Sequence, residues 1–238
     1  MNRSAGVEVR AVTFDVGGTL IEPWPSVGGV YADVADRLGA GALDSDVLDA
    51  RFRAAWRAAH AGNGFDYSRG AWMDLVRTTF SGLTERAGDP DLFRALWHRF
   101  TEPDAWRVFP DVLPCLEVLA TRGLRVAAVS NWDERLRPLL GRLGLADRFE
   151  FVVASAEVGA HKPSRKIFAH AAVLLGLPSS SLLHVGDSRR EDFDGARSAG
   201  WQALLIDRRA ASGPDRMAEL TELPGRLLMT GISGTSPR

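Results

Sequence analysis

The sequence predicts an α/β protein built on a doubly wound parallel sheet, and three observations carry that reading. Five short apolar runs rich in Val, Ile, Leu and Phe recur along the chain: VRAVTF at 9–14, LRVAAVS at 124–130, FEFVVAS at 149–155, LLHVGD at 182–187 and QALLID at 202–207. Runs of that length with little polar alternation are the pattern of strands buried on both faces, as in a parallel sheet. Helical patterns separate the later runs, and strand alternating with helix is the signature of doubly wound folds. Four of the five runs end in, or lead directly to, a polar cluster, and a parallel sheet delivers residues past its carboxyl ends to one rim, where ligands sit.

Taken in order, the first strand, 9–14, leads into DVGGTL. Residues 21–106 hold no convincing strand and carry amphipathic stretches instead: VGGVYADVADRLGA, SDVLDARFRAAWRAAHAG, GAWMDLVRTTFSGLTERAG and PDLFRALWHRF. This predicts an inserted helical cap over 21–106, with 1–20 and 107–238 forming the α/β core. Trp24, Trp56, Trp72, Trp97 and Trp106 fall in or at the edge of the insertion, and their helical spacing makes packing inside the bundle their default role. DVLPCLEVLATRG (111–123) is a helix closed by Gly123. RLRPLLGRLGL, KIFAHAAVLLGL and FDGARSAG follow strands two, three and four as helices. Beyond Asp207 the chain turns polar, with one helix expected around RMAELTELPGRLL and a disordered tail, MTGISGTSPR.

Composition narrows the function classes. The 238 residues are 45% hydrophobic and 25% charged with a net charge of −1, enough for one core plus a subdomain. The scattered basic residues give no footprint for nucleic acid or an anionic membrane, so neither is expected as a partner. No apolar run reaches membrane-spanning length and MNRSAGVEVR lacks a secretory apolar stretch. The lone Cys115 excludes an internal disulfide and reads as a small buried hydrophobe in a reducing compartment. A cytoplasmic monomer or homodimer acting on a small molecule is the expectation. Of the 29 basic residues only Lys162 and Lys166 are lysine, a bias with a codon-usage explanation that nonetheless makes Lys162 conspicuous.

The rim residues supply the chemistry. Strand one delivers Asp15 with Gly17, Gly18 and Thr19 behind it; strand two delivers Ser130 and Asn131; the loop after strand three delivers Lys162 from HKP; strand four delivers Asp187, with Asp192 five positions on. Each alone has an ordinary explanation as a turn, helix cap or solvated charge. In this order and on these strand ends they converge into a site of three carboxylates, a hydroxyl and an ammonium. DVGGT alone also fits the phosphate loop of a sugar kinase, but that fold needs a second glycine-rich loop in a second domain, and none is present.

In DVGGTL, VSN, HKPSRKIF and GDSRREDFDGA the chain resembles the haloacid dehalogenase superfamily over residues 10 to 208. FRAAWRAA, AWMDLVRTTF, TRGLRVAAVSNWDERL and GDSRREDFDGARSAG are similar to its haloacid-dehalogenase-like hydrolase domain-containing 3 (rhythmically expressed protein 2-like) branch. The resemblance implies a Rossmann-like core with a helical C1-type cap, and a phosphohydrolase working through an aspartyl phosphate. Asp15 would then be the nucleophile. Asp15, Asp187, Asp192 and the Gly17 carbonyl would hold Mg²⁺. Gly18, Thr19, Ser130, Asn131 and Lys162 would bind the phosphate of a small phosphorylated substrate, Ser130 and the Asn131 amide by hydrogen bonds and Lys162 by charge. Glu191 is an alternative to Asp192 as the second acidic ligand, and Asp192 is preferred.

Gly17 departs from the family pattern. Phosphatases of this type carry aspartate two residues after the nucleophile, as the acid that protonates the leaving oxygen and the base that then activates water. Losing it removes about 10² to 10⁴ in rate, which predicts a slow or atypical phosphatase preferring leaving groups that need little protonation, such as aryl or acyl phosphates. His60, Asp66 and His161 are candidate surrogates, although an ordinary surface or core role is the default for each. The competing expectations are a site that binds ligand or partner without turnover and, with less support because Asp187 and Asp192 are kept, a 2-haloacid dehalogenase-type hydrolase. A phosphonate hydrolase would need a cap lysine, and 21–106 contains none.

Overall fold

The computed structural model of the protein describes residues 8–61 and 65–229. The disordered tail expected at the carboxyl end falls outside these residues apart from Met229, as do the first seven residues. The described residues divide into two compact units: those up to Ile21, Val108–Glu134 and those from Gly144 onward form one, and those described between Glu22 and Arg107 with Arg135–Leu143 form the other.

All five expected strands are present in the first unit. β1 (Ala11–Phe14) is followed much later by β4 (Arg125–Ser130), β5 (Val152–Ala154), β6 (Leu182–Gly186), β7 (Gln202–Ile206) and the two-residue β8 (Arg216–Met217), after the short β2 (Ile21–Pro23) and β3 (Trp106–Val108). The first six named lie in one sheet of order β5-β4-β1-β6-β7-β8, parallel at every pairing, while β2 pairs with β3. β1 therefore stands where the winding reverses, with β4 on one side and β6 on the other; crevices beyond such a switch point are where open α/β sheets bind ligands. The register makes this concrete: Phe14 lies opposite both Ala128 and Val185, so Asp15 emerges between the ends of β4 and β6.

The sheet interior is apolar because its strands are covered on both faces. Ile167, Phe168 and Ala171 of helix α8 (Arg165–Leu175) pack with Val129, Val153, Leu182 and Trp201. Helix α5 (Val112–Thr121) buries Cys115, whose thiol burial pushes up to about 12 with Asp111 adding to the effect; it is the inert buried residue the sequence indicated. The expected helix over 216–228 is instead β8, a one-turn 3-10 segment at Leu220–Glu222 and α10 (Leu223–Met229). Pairing of Ile206 with Met217 captures the start of that stretch, and the reciprocal Glu219–Glu222 capping box starts a new helical turn after it.

The second unit is helical: α1 (Val27–Arg37), α2 (Ser45–His60), α3 (Arg69–Phe80) and α4 (Pro90–Arg99). Its helices start where side chains satisfy the first amides. Ser26 accepts from Gly29 N, Asp44 from Asp46 N and Val47 N, and Ser68 from Ala71 N. Tyr31, Val34, Leu48, Phe80, Leu92 and Leu96 fill its core, with the Tyr31 ring stacked on Phe80 at 5.4 Å. The sequence division assigned 135–143 to the α/β core, whereas helix α6 (Leu136–Arg142) groups with the helical unit. Arg135 accounts for this: its guanidinium lies 3.4 Å from the Trp97 ring centroid and donates to the Trp97 carbonyl at 3.1 Å. Among the described residues no helix is long and apolar enough to cross a membrane.

Candidate active site

The strand ends bring the predicted carboxylates, hydroxyl and ammonium together. Asp15 Oδ1 accepts from Ser130 Oγ at 2.8 Å and from Lys162 Nζ at 2.6 Å. Lys162, 1% exposed, also donates to Asp192 Oδ1. Ligand oxygens of Asp15, Asp187 and Asp192 lie within 4.8 Å of one another. Asp192 is delivered by a six-residue π-helical turn, Arg189–Asp194. That wider turn is why the fifth residue after Asp187 faces the lysine, whereas Glu191 turns aside to accept from Asn131 Nδ2 at 3.0 Å.

Two glycines make the cluster sterically possible. A Cβ on Gly18, which has φ +78°, would sit 2.4 Å from Asp187 Oδ2, and one on Gly186 would sit 2.2 Å from Asp192 Cγ. Neither position tolerates a side chain with the carboxylates where they are. The loop holds itself by Gly18 N to Ile21 O and by Leu20 N and Ile21 N to Val16 O, a set that does not use the Gly17 carbonyl. Thr19 is fully buried, with its carbonyl taken by Arg208 at 2.8 Å. It therefore braces the loop from inside instead of presenting its hydroxyl at the surface.

The electrostatics are those of a crowded acidic site around one cation. Burial raises the Asp15 pKa, and Lys162 only partly offsets it. Burial works against charge on Lys162, yet Asp15 and Asp192 on either side outweigh it and raise its pKa. Asp192 goes the other way: it too is desolvated, but Lys162 and His184 hold it well below the usual carboxylate range. Packing around Asp187, and then the charges of Asp15 and Asp192, push its pKa well above that range. Its side chain nonetheless reaches solvent, so the charge crowding is the cause we stand behind. One lysine against three carboxylates leaves two negative charges uncompensated when all are ionised, and hard oxygen donors with that deficit suit a divalent cation. The residues present fit such an ion, with bare glycine backbone beside two of the three acids.

Two participants, His184 and Trp132, were not singled out from sequence, and the side chain of Asn131 takes a role the sequence did not indicate. His184, fully buried in β6, donates from Nε2 to Asp192 Oδ1 at 3.0 Å and accepts at Nδ1 from Thr13 Oγ1 at 2.8 Å. Burial lowers its pKa, so this neutral tautomer steadies Asp192 without adding charge. A polar residue inside the apolar run LLHVGD was the available signal. The Asn131 side chain ties loops together: Oδ1 accepts from Lys162 N at 2.7 Å and Nδ2 donates to Lys162 O at 3.0 Å as well as to Glu191. Trp132 lies over Gly17, with Cζ3 at 3.2 Å from where a Cβ would be. Of the surrogate acids, His60 has Nδ1 on the Trp56 carbonyl at 2.8 Å and Nε2 3.4 Å from the Tyr67 hydroxyl, and Asp66 accepts from Ser68 N at 2.9 Å. His161 directly precedes Lys162 and its carbonyl accepts from Ser164 N at 2.9 Å.

A sequence profile described as haloacid dehalogenase-like hydrolase matches residues 9–200. The chain belongs to the haloacid dehalogenase-like hydrolases. Within that family it is 34% identical over 237 residues to haloacid dehalogenase-like hydrolase domain-containing protein 3 of Danio rerio, covering 93% of this chain and 97% of the relative. It is 28% identical to a phosphoglycolate phosphatase of Chromobacterium violaceum over 90% of this chain and 91% of that one. Two solved structures of the family are similar as well. One is a phosphatase of Thermococcus onnurineus, at 27% identity and a TM-score of 0.67 over 92% of this chain and 98% of that one. The other is a 2-haloacid dehalogenase of Pseudomonas syringae, at 25% identity and a TM-score of 0.65 over 94% of this chain and all of that one.

Proposed function

We propose that the protein is a Mg²⁺-dependent phosphohydrolase of small phosphorylated metabolites in the cytoplasm, working through an aspartyl phosphate on Asp15 and weak toward esters whose leaving group needs protonation. The observation that carries this reading is Asp15 clamped through one oxygen by Ser130 and Lys162, with Asp187 and Asp192 beside it. Both donors fall on Oδ1, which fixes the carboxylate plane and leaves Oδ2 for attack on phosphorus. The P–O bond to the leaving group breaks as the Asp15–P bond forms, and the leaving oxygen keeps the electron pair. Lys162, Ser130 Oγ and the Asn131 amide face the charge that gathers on the phosphoryl oxygens. A water then attacks phosphorus, loses its proton to solvent and frees Asp15. Mg²⁺, held by Asp15, Asp187, Asp192 and the Gly17 carbonyl, would supply Lewis-acid neutralisation of the phosphate. The helical unit serves as the cap that reads the rest of the substrate.

Gly17 supplies neither acid nor base, so leaving groups that depart unaided, aryl and acyl phosphates, are the expected substrates. The test is Mg²⁺-dependent phosphate release from p-nitrophenyl phosphate and acetyl phosphate by the native protein and Asp15→Asn. Release that depends on both Asp15 and metal supports the reading. Equal background from the two proteins favours the second one, a site that holds a phosphorylated ligand or partner without turnover, which the indole over Gly17 also accommodates. The dehalogenase alternative predicts halide release without metal, and the acidic triad argues against it.

A further inference from the structure

We propose that Trp132 selects the substrate: the leaving-group side of Asp15 is walled by an indole in place of the missing acid, which suits phosphate monoesters of phenols and hydroxylated heteroaromatics. This rests on the phosphohydrolase reading and names its substrate class. Trp132 lies two residues beyond Ser130, the donor to Asp15. Its Cζ3 and Cη2 are 3.2 and 3.9 Å from the position a Cβ on Gly17 would take. The ring edge thus lies in tight contact with the point where a side chain at 17 would begin. Its backbone is pinned on both sides: Trp132 N donates to Ser155 Oγ at 3.1 Å, and Trp132 O accepts from Ser155 Oγ and Ala156 N, each at 3.1 Å. Ser155 itself is buried and begins a short helix, Ser155–Val158, so the backbone that carries the indole is held in place, and Trp132 is half-buried.

The glycine and the tryptophan answer each other chemically. An indole N–H gives up its proton far too reluctantly to act as a general acid, so the site cannot assist an alkoxide. What it offers is a flat, polarisable face. An aryl ester fits this site on two counts: its ring packs on the indole, and its aryloxide departs with the P–O electron pair as the Asp15–P bond forms, taking a proton from solvent afterwards. A similarly acidic leaving group without a ring gains only the second benefit.

That difference is the test. With Mg²⁺ present, kcat/KM is measured for phenyl phosphate and for hexafluoroisopropyl phosphate, whose leaving alcohol is comparably acidic and carries no ring. Aromatic pairing of about 0.5–1.5 kcal/mol corresponds to a preference of about 2- to 13-fold for the phenyl ester. Trp132→Leu should bring the ratio to about one while Trp132→Phe keeps most of it. A native ratio near one, or a ratio unmoved in Trp132→Leu, overturns the proposal while leaving Asp15-dependent hydrolysis intact. Absence of any turnover above Asp15→Asn overturns the phosphohydrolase reading itself. Should Trp132→Leu fold poorly, the native ratio and the Trp132→Phe ratio decide the matter.

Discussion

Restoring the acid by Gly17→Asp alone should fail. The new Cβ would start 3.2 Å from Trp132 Cζ3, so the ring edge must give by a few tenths of an ångström before a carboxyl can be built there. Because Ser155 and Ala156 fix the Trp132 backbone, relief must come from tilting the indole or shifting the loop. Overpacking of this kind costs about 1–3 kcal/mol, or roughly 2–12 °C in Tm for a protein of this size. With Trp132→Ala added, the carboxyl has room, and general acid-base catalysis should return about 10² to 10⁴ in kcat on alkyl phosphates. Trp132→Ala alone should not raise that rate. The assay is phosphate release from an alkyl phosphate such as glycerol phosphate across the four-protein cycle, with a thermal melt of each. The reasoning is refuted if the single Gly17→Asp variant matches the double, since the ring would then obstruct nothing. A double variant no faster than the native protein would mean that position 17 does not face the leaving oxygen.

Three further outcomes follow from the charge network. Lys162→Met leaves Asp15 and Asp192 buried without their shared cation, which should cost about 3–5 kcal/mol of stability and abolish turnover; chemical denaturation and phosphate release check both. Asp187→Asn removes a carboxylate that its neighbours disfavour, so metal-free protein should melt higher than native while losing its response to Mg²⁺. The native response should approach about 2.7 kcal/mol at a hundredfold excess over Kd. The raised pKa values of Asp15 and Asp187 mean that the folded site holds protons the unfolded chain has released. Their contribution to metal-free stability is present below the ordinary carboxylate pKa and lost as pH rises through the raised values. Mg²⁺ must displace those protons, so its stabilising effect should be larger at pH 8 than at pH 5 in melts; the reverse order would contradict the assigned shifts.

The five long-range strands were legible because each is buried on both faces, which writes an unbroken apolar run such as VRAVTF or QALLID. β2 and β3, three residues each, and β8, two residues, are too short to leave a pattern. The acids of the site were legible because a strand end and an ordered motif point to each. Asp192 is preferred over Glu191 from the sequence already, but the π-helical turn that delivers it was not legible, since its extra width has no compositional mark. The meaning of Gly17 was only half legible. Sequence gives the missing carboxyl, but its occupant comes from a different strand end, and contact between Gly17 and Trp132 is a fact of three dimensions. The grouping of α6 with the helical unit was hidden for a similar reason, since Arg135 on Trp97 joins positions far apart in the chain.

Scarcity of lysine gives the molecule an internal gauge. Lys162 is sealed between two acids, whereas Lys166, four residues on, lies open to solvent. The two flank Pro163, Ser164 and Arg165 on one short segment, so a fragment from a protease that spares basic residues carries both a reporter and its reference. Amine-directed labelling read by mass spectrometry would show Lys166 modified at once and Lys162 only as fast as the pocket opens, and the ratio of the two would track occupancy of the site without knowledge of what fills it.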